Sequence, residues 1–317
     1  MRLSRLQMFS TPILFLIFNR PQTTEKVFEE IRKQKPQYLF IAADGPRENN
    51  QHDVELCKTT RNIVSKIDWE CEVKTLFSDK NMGCGLAPAT GITWFFEQVE
   101  EGIILEDDCI PNSSFFEYCE TLLNKYRDNT NIMMICGTSY QPKPLNNDTY
   151  YFSKYPHVWG WATWKRAWKN YSFKLDGETN ETRRDVIERT FTNNRERKFW
   201  ENNMHMIING LDAWDYQFMY WMWKNNGTCI VPWQNMISNI GFGAHATHTH
   251  DCNSNQSQMT QHQLSTIKHP QHIKVNTKAD DYERGHILIG TEYKYYLNRL
   301  RAVAGKFLKP VLIKNGR

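Results

Sequence analysis

Three consecutive acids, Glu106, Asp107 and Asp108, directly follow the apolar run 102–105. Four apolar residues are enough to cross a sheet as a buried strand, whereas three adjacent carboxylates buried without partners would be costly. We therefore expect the acids at an open strand end, balanced by a cation or a polar ligand. Carboxylate oxygens suit Mn²⁺ or Mg²⁺, which keep room for substrate phosphates. The pattern favours a metal site, and a solvated acidic turn is the alternative.

Strand and helix patterns alternate along the first part of the chain. Apolar runs such as 13–18 and 132–137 are separated by helical patterns such as 113–127. This alternation predicts an α/β fold, with a mostly parallel sheet and helices on both of its faces. In such sheets ligands bind beyond the carboxyl ends of the strands. Asp44 and the three acids fall at such ends.

Bulk composition narrows the class of protein. With 40% hydrophobic and 23% charged residues among 317, the chain can build a sizeable core and is not globally disordered. A net charge of +4 argues against nucleic acid as a partner. The eight cysteines form no CxxC pair, so we interpret them as reduced thiols of a cytoplasmic protein. The apolar run near the start is interpreted as a buried strand rather than a signal peptide.

Four tryptophans lie close together at Trp159, Trp161, Trp164 and Trp168. Sugar rings present apolar C–H faces that stack on aromatic rings, so an acceptor platform is one interpretation. The last three are also spaced as one helical face, which is typical of core packing. We expect Trp161, which follows Gly160, to belong to the site.

The segment GIILEDDCIPNSSFFEY (102–118) resembles the metal-binding segment of GT-A-fold glycosyltransferases related to the N-acetylglucosaminyltransferase that begins complex N-glycan branching. The chain is also similar to bacterial nucleotide-diphospho-sugar transferases of surface-polysaccharide loci. The resemblance covers about residues 11–250. It continues in order through LIFNRP (16–21), FIAADGPR (40–47), VWGWATW (158–164), AWDYQF (213–218) and NIGFGAHATHT (239–249).

The resemblance implies a Rossmann-like GT-A fold and a role for each matching residue. Arg20 would contact the nucleotide, and Asp44 would bind the uridine of a UDP-sugar donor. Asp108 would bind Mn²⁺ or Mg²⁺ directly, and the ion would bridge the donor phosphates. Glu106 and Asp107 would orient that site and the donor ribose or sugar.

Asp215 is implied as the catalytic base, taking the proton from the acceptor hydroxyl as it attacks. Asp212 is a weaker candidate for the same role. The alternative for Asp215 is a carboxylate that complements a helix dipole.

A Gly-rich loop with an HxxHxHD pattern follows residue 240. Its histidines could chelate zinc or manganese, or they could be surface side chains of a polar loop. We expect Gly241 and Gly243 to act as hinges when the loop closes over the donor. We expect His248 to help hold the metal or the diphosphate.

The expected domain organisation is a GT-A unit over 11–250, with a nucleotide-sugar-binding half (11–140) and an acceptor half (141–250). A C-terminal extension (251–317) would carry a basic amphipathic helix. That helix could make a peripheral contact with the inner face of a membrane, where a lipid-linked acceptor would be found. The alternative is a helix packed on the domain with a solvated basic face.

The sequence thus predicts a metal-dependent, inverting glycosyltransferase that moves a hexosyl or N-acetylhexosaminyl group from a UDP-sugar to a glycan or lipid-linked glycan, in bacterial surface polysaccharide synthesis. One alternative is a sugar-nucleotide nucleotidyltransferase, although the segment after the first strand lacks the Gly-rich signature of that class. The other is a non-catalytic glycan-binding protein with the tryptophans as its binding surface.

Overall fold

The computed structural model describes residues 9–242 and 258–290. Within these ranges the strands are β1 (Ile13–Ile17), β2 (Tyr38–Ala43), β3 (Glu72–Phe77), β4 (Glu101–Glu106), β5 (Cys109–Pro111), β6 (Ile132–Cys136), β7 (Tyr150–Ser153), β8 (Trp161–Trp164), β9 (Thr228–Pro232) and β10 (Ile237–Asn239). The helices are α1 (Pro21–Gln34), α2 (Gln51–Arg61), α3 (Gly83–Gln98), α4 (Ser113–Tyr126), α5 (Lys165–Trp168), α6 (Asn180–Thr190), α7 (Asn194–Ile208), α8 (Asp215–Lys224) and α9 (Thr277–Glu283).

Eight strands form the central sheet, in the order β3-β2-β1-β4-β8-β6-β9-β7. The four strands β3, β2, β1 and β4 are mutually parallel, as are β6 and β9, whereas β8 and β7 run antiparallel to their neighbours. The remaining two strands, β5 and β10, pair with each other at the edge where β4 ends. This architecture confirms the predicted α/β fold class and is consistent with a Rossmann-like GT-A fold.

Helices cover both faces of the sheet, which explains why its central strands are apolar without alternation. On β1, Leu14 and Leu16 face the layer that contains α3, α7 and α8. The intervening Ile13, Phe15 and Ile17 face the layer that contains α1 and α4. The sheet therefore packs between two apolar cores, one on each face. This packing sets where β1, β2 and β4 end along the strand direction.

The predicted halves 11–140 and 141–250 share this one sheet. Strand β8, from the second half, lies between β4 and β6 of the first, with Ile104 opposite Trp161 and Cys136 opposite Trp161. The segment 258–290 also packs on the body, since Asn276 N donates to the carbonyl of Phe152 at 2.8 Å. The division into halves and a C-terminal extension stays a prediction.

Other predictions concern the thiols and the tail. The cysteines among the described residues are free thiols. Across 9–242 and 258–290, no helix is long and apolar enough to cross a membrane. The predicted basic amphipathic helix falls at 291–317, outside the described residues.

Candidate active site

The three acids lie where β4 leaves the sheet, as expected from the sequence. Glu106 is the last residue of β4 and is half-buried, and Asp107 and Asp108 form the turn into β5 with 2% and 8% of their surface exposed. Arg20, at the end of β1, lies against them because β1 and β4 are adjacent and parallel. Its guanidinium forms an ion pair with Asp107 and donates to Asp108 Oδ2 at 2.8 Å. The backbone N–H of Phe18 donates to Asp107 Oδ2 at 3.3 Å.

Negative charge exceeds positive charge in this cluster. Burial, together with the charges of Asp108 and Asp107, raises the pKa of Glu106 well above its usual range. Burial also raises the pKa of Asp107, although the Arg20 guanidinium opposes this shift. Three carboxylates against one guanidinium form a site that a divalent cation would stabilise.

The donor set fits Mn²⁺ or Mg²⁺ held only in part by protein. No group of three or more His, Cys, Asp or Glu side chains is arranged to hold a metal by itself in the part of the chain that the structure describes. Hard cations of this kind are commonly bound through one or two carboxylates, with substrate phosphates and water as further ligands. Asp108 is suited to that role because its side chain reaches the surface of the cluster, with 12% exposed.

The Gly-rich loop begins directly over Asp108. Ile240 N donates to the carbonyl of Asp108 at 2.8 Å. A Cβ placed on Gly241 would lie 2.0 Å from Asp108 Oδ2, so a larger residue there would require the loop or the carboxylate to shift. The structure therefore brings Gly241 to the acid cluster. Gly243 and His248 lie outside the described residues.

Asp215 is the first residue of α8. Its position is fixed by the preceding Trp214, which is 5% exposed and stacks on Trp161 with ring centroids 5.5 Å apart. Tyr171 Oη donates to the carbonyl of Trp214 at 3.0 Å. The charge of Asp215 is among the causes that raise the pKa of Glu106, after burial and the neighbouring carboxylates. Asp215 therefore lies within electrostatic reach of the acid cluster.

Asp44 lies at the end of β2, as predicted, but its carboxylate is fully engaged by protein. Oδ1 accepts from the backbone N–H groups of Gly45 (2.8 Å) and Met82 (2.9 Å). Oδ2 accepts from Asn81 Nδ2 (2.7 Å) and from the N–H of Gly83 (3.2 Å). A carboxylate has about four lone-pair sites, so an additional bond to a uracil N–H would have to displace one of these four. The contacts of Asp44 shape the 81–83 loop, and the uridine contact stays a prediction.

Asp212, the weaker candidate for the base, also binds backbone. Its carboxylate accepts from the N–H groups of Cys84 at 2.9 Å and Gly85 at 2.8 Å, at the start of α3. It thereby caps a helix 128 residues away in sequence and does not share the position of Asp215.

Trp161 does not lie at an exposed surface, so the predicted acceptor platform is not supported at this residue. Its ring is completely buried and packs on Trp214, Trp168 and Phe218. The expected helical face is also wrong, because Trp161 and Trp164 lie on β8 and belong to opposite cores. Trp159, whose ring packs edge-on against Phe242 at 5.8 Å, is only half-buried and lies nearer the Gly-rich loop.

Two buried polar clusters outside the acid cluster were missed from the sequence. Asp53 is 1% exposed and accepts from Arg47 and from Asn19 Nδ2 (2.8 Å), and its bonds to Arg47 lower its pKa to about 2. His157 is buried with its Nε2 2.6 Å from Glu283 Oε1. The partners in each cluster come from separate strand ends or from the 258–290 segment, so spacing along the chain carries no signal for either.

Comparisons with known proteins give only remote likenesses. No protein-family model matches the chain, and no curated protein matches it. Among solved structures, it is similar to TarS 1–349 of S. aureus (11% identity, TM-score 0.34, covering 50% of this chain and 48% of that one). It is also similar to HddC from Yersinia pseudotuberculosis (10%, 0.32, 53% and 84%) and to a putative glucose-1-phosphate thymidylyltransferase from Bacillus anthracis (9%, 0.31, 54% and 76%). The chain spans about half the length of the TarS structure, and likenesses this remote carry no inference about activity.

Proposed function

We propose that this chain is a metal-dependent, inverting glycosyltransferase that transfers a sugar from a UDP-sugar to a glycan or lipid-linked glycan acceptor. The observation that supports this proposal is the acid cluster at the end of β4. Its three carboxylates face a single guanidinium, that of Arg20, and lie within electrostatic reach of Asp215. A role in surface polysaccharide synthesis rests on the sequence resemblance. The proposed partners are therefore the donor and the acceptor, with a membrane contact through the tail as a further proposal.

The proposed reaction needs two chemical functions on opposite sides of the anomeric carbon. Asp108, with Glu106 and Asp107 around it, would hold Mn²⁺ or Mg²⁺, which when bound neutralises charge on the leaving diphosphate. Arg20 holds Asp107 and Asp108 in place and adds positive charge at the same edge.

Asp215 supplies the second function. Its carboxylate takes the proton of the acceptor hydroxyl as the acceptor oxygen bonds to the anomeric carbon. The bond from that carbon to the UDP oxygen breaks, and its electron pair leaves with UDP. Attack opposite the leaving group gives inversion in a single displacement.

Product analysis tests this proposal. Purified protein with Mn²⁺ would be given UDP-glucose, UDP-galactose, UDP-N-acetylglucosamine and UDP-N-acetylgalactosamine with p-nitrophenyl glycosides as acceptors. We expect UDP release with one donor and a glycoside product of inverted configuration. Asp215→Asn should reduce turnover by about 10²–10⁴-fold, whereas Asp185→Asn, at an exposed position on α6, should not.

Different products would contradict the proposal. A parallel assay would contain UTP and sugar 1-phosphates in place of the UDP-sugars. Pyrophosphate release there, without UDP release from any donor, would identify a nucleotidyltransferase. Glycan binding that persists in EDTA, with neither product formed, would identify a glycan-binding protein.

A further inference from the structure

The first turn of α3 is capped by two carboxylates from distant parts of the chain. A helix leaves its first four backbone N–H groups without partners inside the helix. Here the N–H groups of Met82 and Gly83 donate to Asp44, at 2.9 and 3.2 Å. Those of Cys84 and Gly85 donate to Asp212, at 2.9 and 2.8 Å. All four are therefore satisfied by side chains, and none of the four remains for a phosphate of the donor.

The glycines of this turn are explained by the same contacts. Gly83 has a φ of +88°, and a Cβ there would lie 2.5 Å from Asp212 Oδ2. A Cβ on Gly85 would lie 2.6 Å from Asp212 Oδ1. The Gly-rich start of α3 thus fits the Asp212 carboxylate closely.

Asp212 joins this cap to the helix that carries the proposed base. It lies three residues before Asp215, in the connection between α7 and α8. That connection is otherwise open at its tip, where Leu211 is 36% exposed and a Cβ on Gly210 would meet no described atom within 4 Å. The carboxylate of Asp212 anchors the connection to α3, and Trp214 anchors it to the core.

We propose that Asp212 is a positioning residue, which sets the place of Asp215 by fixing the start of α8 against the start of α3. The inference rests on the proposed function for the role of Asp215, whereas the cap itself does not. Loss of the carboxylate would remove the two backbone hydrogen bonds from Cys84 and Gly85 that hold the α7–α8 connection to α3, and would leave the 3.1 Å bond from Cys84 Sγ to the Asp212 carbonyl. A displacement of about 1 Å at a reacting group can cost about 10²-fold in rate.

Steady-state kinetics of five variants test the inference, with UDP release from the donor found active as the readout. Asp212→Ala should lower kcat at least about tenfold with the donor KM unchanged, because the donor side keeps its contacts. Asp212→Asn keeps one acceptor oxygen and should give an intermediate kcat. In an Asp215→Asn background, Asp212→Ala should have less than about a twofold further effect, because a residue that acts through Asp215 has nothing left to position. Asp185→Ala is the matched surface control.

Several results would overturn the inference. It fails if Asp212→Ala keeps the wild-type kcat, or if it loses the same factor with and without Asp215. Hydrogen–deuterium exchange gives a readout independent of turnover: Asp212→Ala should speed exchange both at 83–85 and at 213–218. Faster exchange at 83–85 alone would show that Asp212 only caps α3. Wild-type protein without UDP release from any donor would refute the proposed function, and the exchange result would still decide whether Asp212 couples α3 to α8.

Discussion

Replacing Gly241 by alanine tests the contact between the Gly-rich loop and the acid cluster. The added Cβ would lie 2.0 Å from Asp108 Oδ2, 2.7 Å from its Cγ and 3.0 Å from its Cβ. Ordinary van der Waals contact begins at 3.4 Å, so either the loop or the carboxylate must move by more than about 1 Å. Asp108 is the proposed metal ligand, and a shift of about 1 Å at a reacting site can cost about 10²-fold in rate. We therefore expect kcat/KM to fall about 100-fold.

The assay is UDP release at a series of Mn²⁺ concentrations, with Ser238→Ala, on the preceding strand β10, as the control. The loss in Gly241→Ala should include a higher Mn²⁺ requirement, because the shifted group is the proposed ligand. Wild-type turnover and Mn²⁺ dependence in Gly241→Ala would refute the reasoning that this loop packs on Asp108 in the working enzyme.

Three further predictions concern charge and packing. Arg20→Met should destabilise the metal-free protein by about 3–5 kcal/mol, because it leaves buried carboxylates unpaired, and Mn²⁺ should recover part of this in chemical denaturation. Burial alone would lower the pKa of His157, but the Glu283 carboxylate raises it from 6.5 to about 9. The resulting stabilisation is complete below pH 6.5 and is lost as the pH rises through 9. This stabilisation amounts to about 3 kcal/mol. His157→Gln should therefore flatten the pH dependence of the free energy of unfolding between pH 6.5 and 9. An unchanged pH dependence would contradict the ion pair. Trp161→Ala should lower the free energy of unfolding by about 3–5 kcal/mol and leave the acceptor KM of the folded fraction unchanged. A raised acceptor KM at wild-type stability would show instead that Trp161 belongs to the acceptor surface.

The fold was predictable because its signals are local. Apolar runs of strand length alternate with amphipathic helical patterns. A mostly parallel sheet covered by helices on both faces buries the apolar strands and the apolar faces of the helices together. The placement of the three acids at the end of β4 was predictable for a related reason. Glu106, Asp107 and Asp108 cannot be buried together without a partner, so the sequence alone places them at a strand end near a cation.

The roles of single carboxylates were not predictable in the same way. Asp44 and Asp212 each carry the chemistry expected of a ligand contact or a base, yet both bind backbone N–H groups of α3. Which partner a carboxylate takes depends on contacts 38 to 128 residues away in sequence. Trp161 was misplaced in the site for the same reason, because the rings that bury it, Trp214 and Phe218, come from a distant part of the chain.

Donor binding tests the central claim most directly. The thermal unfolding midpoint would be followed with UDP and with each UDP-sugar, in Mn²⁺ and in EDTA, because a ligand that binds only the folded state raises it. The same series would be run on Asp108→Asn and on Asp128→Asn, an exposed carboxylate after α4. We predict a rise that requires both Mn²⁺ and a UDP-sugar, that survives in Asp128→Asn and that disappears in Asp108→Asn. An unchanged midpoint with every nucleotide, or a rise that is the same in EDTA and in Asp108→Asn, would contradict a metal-dependent UDP-sugar site at the end of β4.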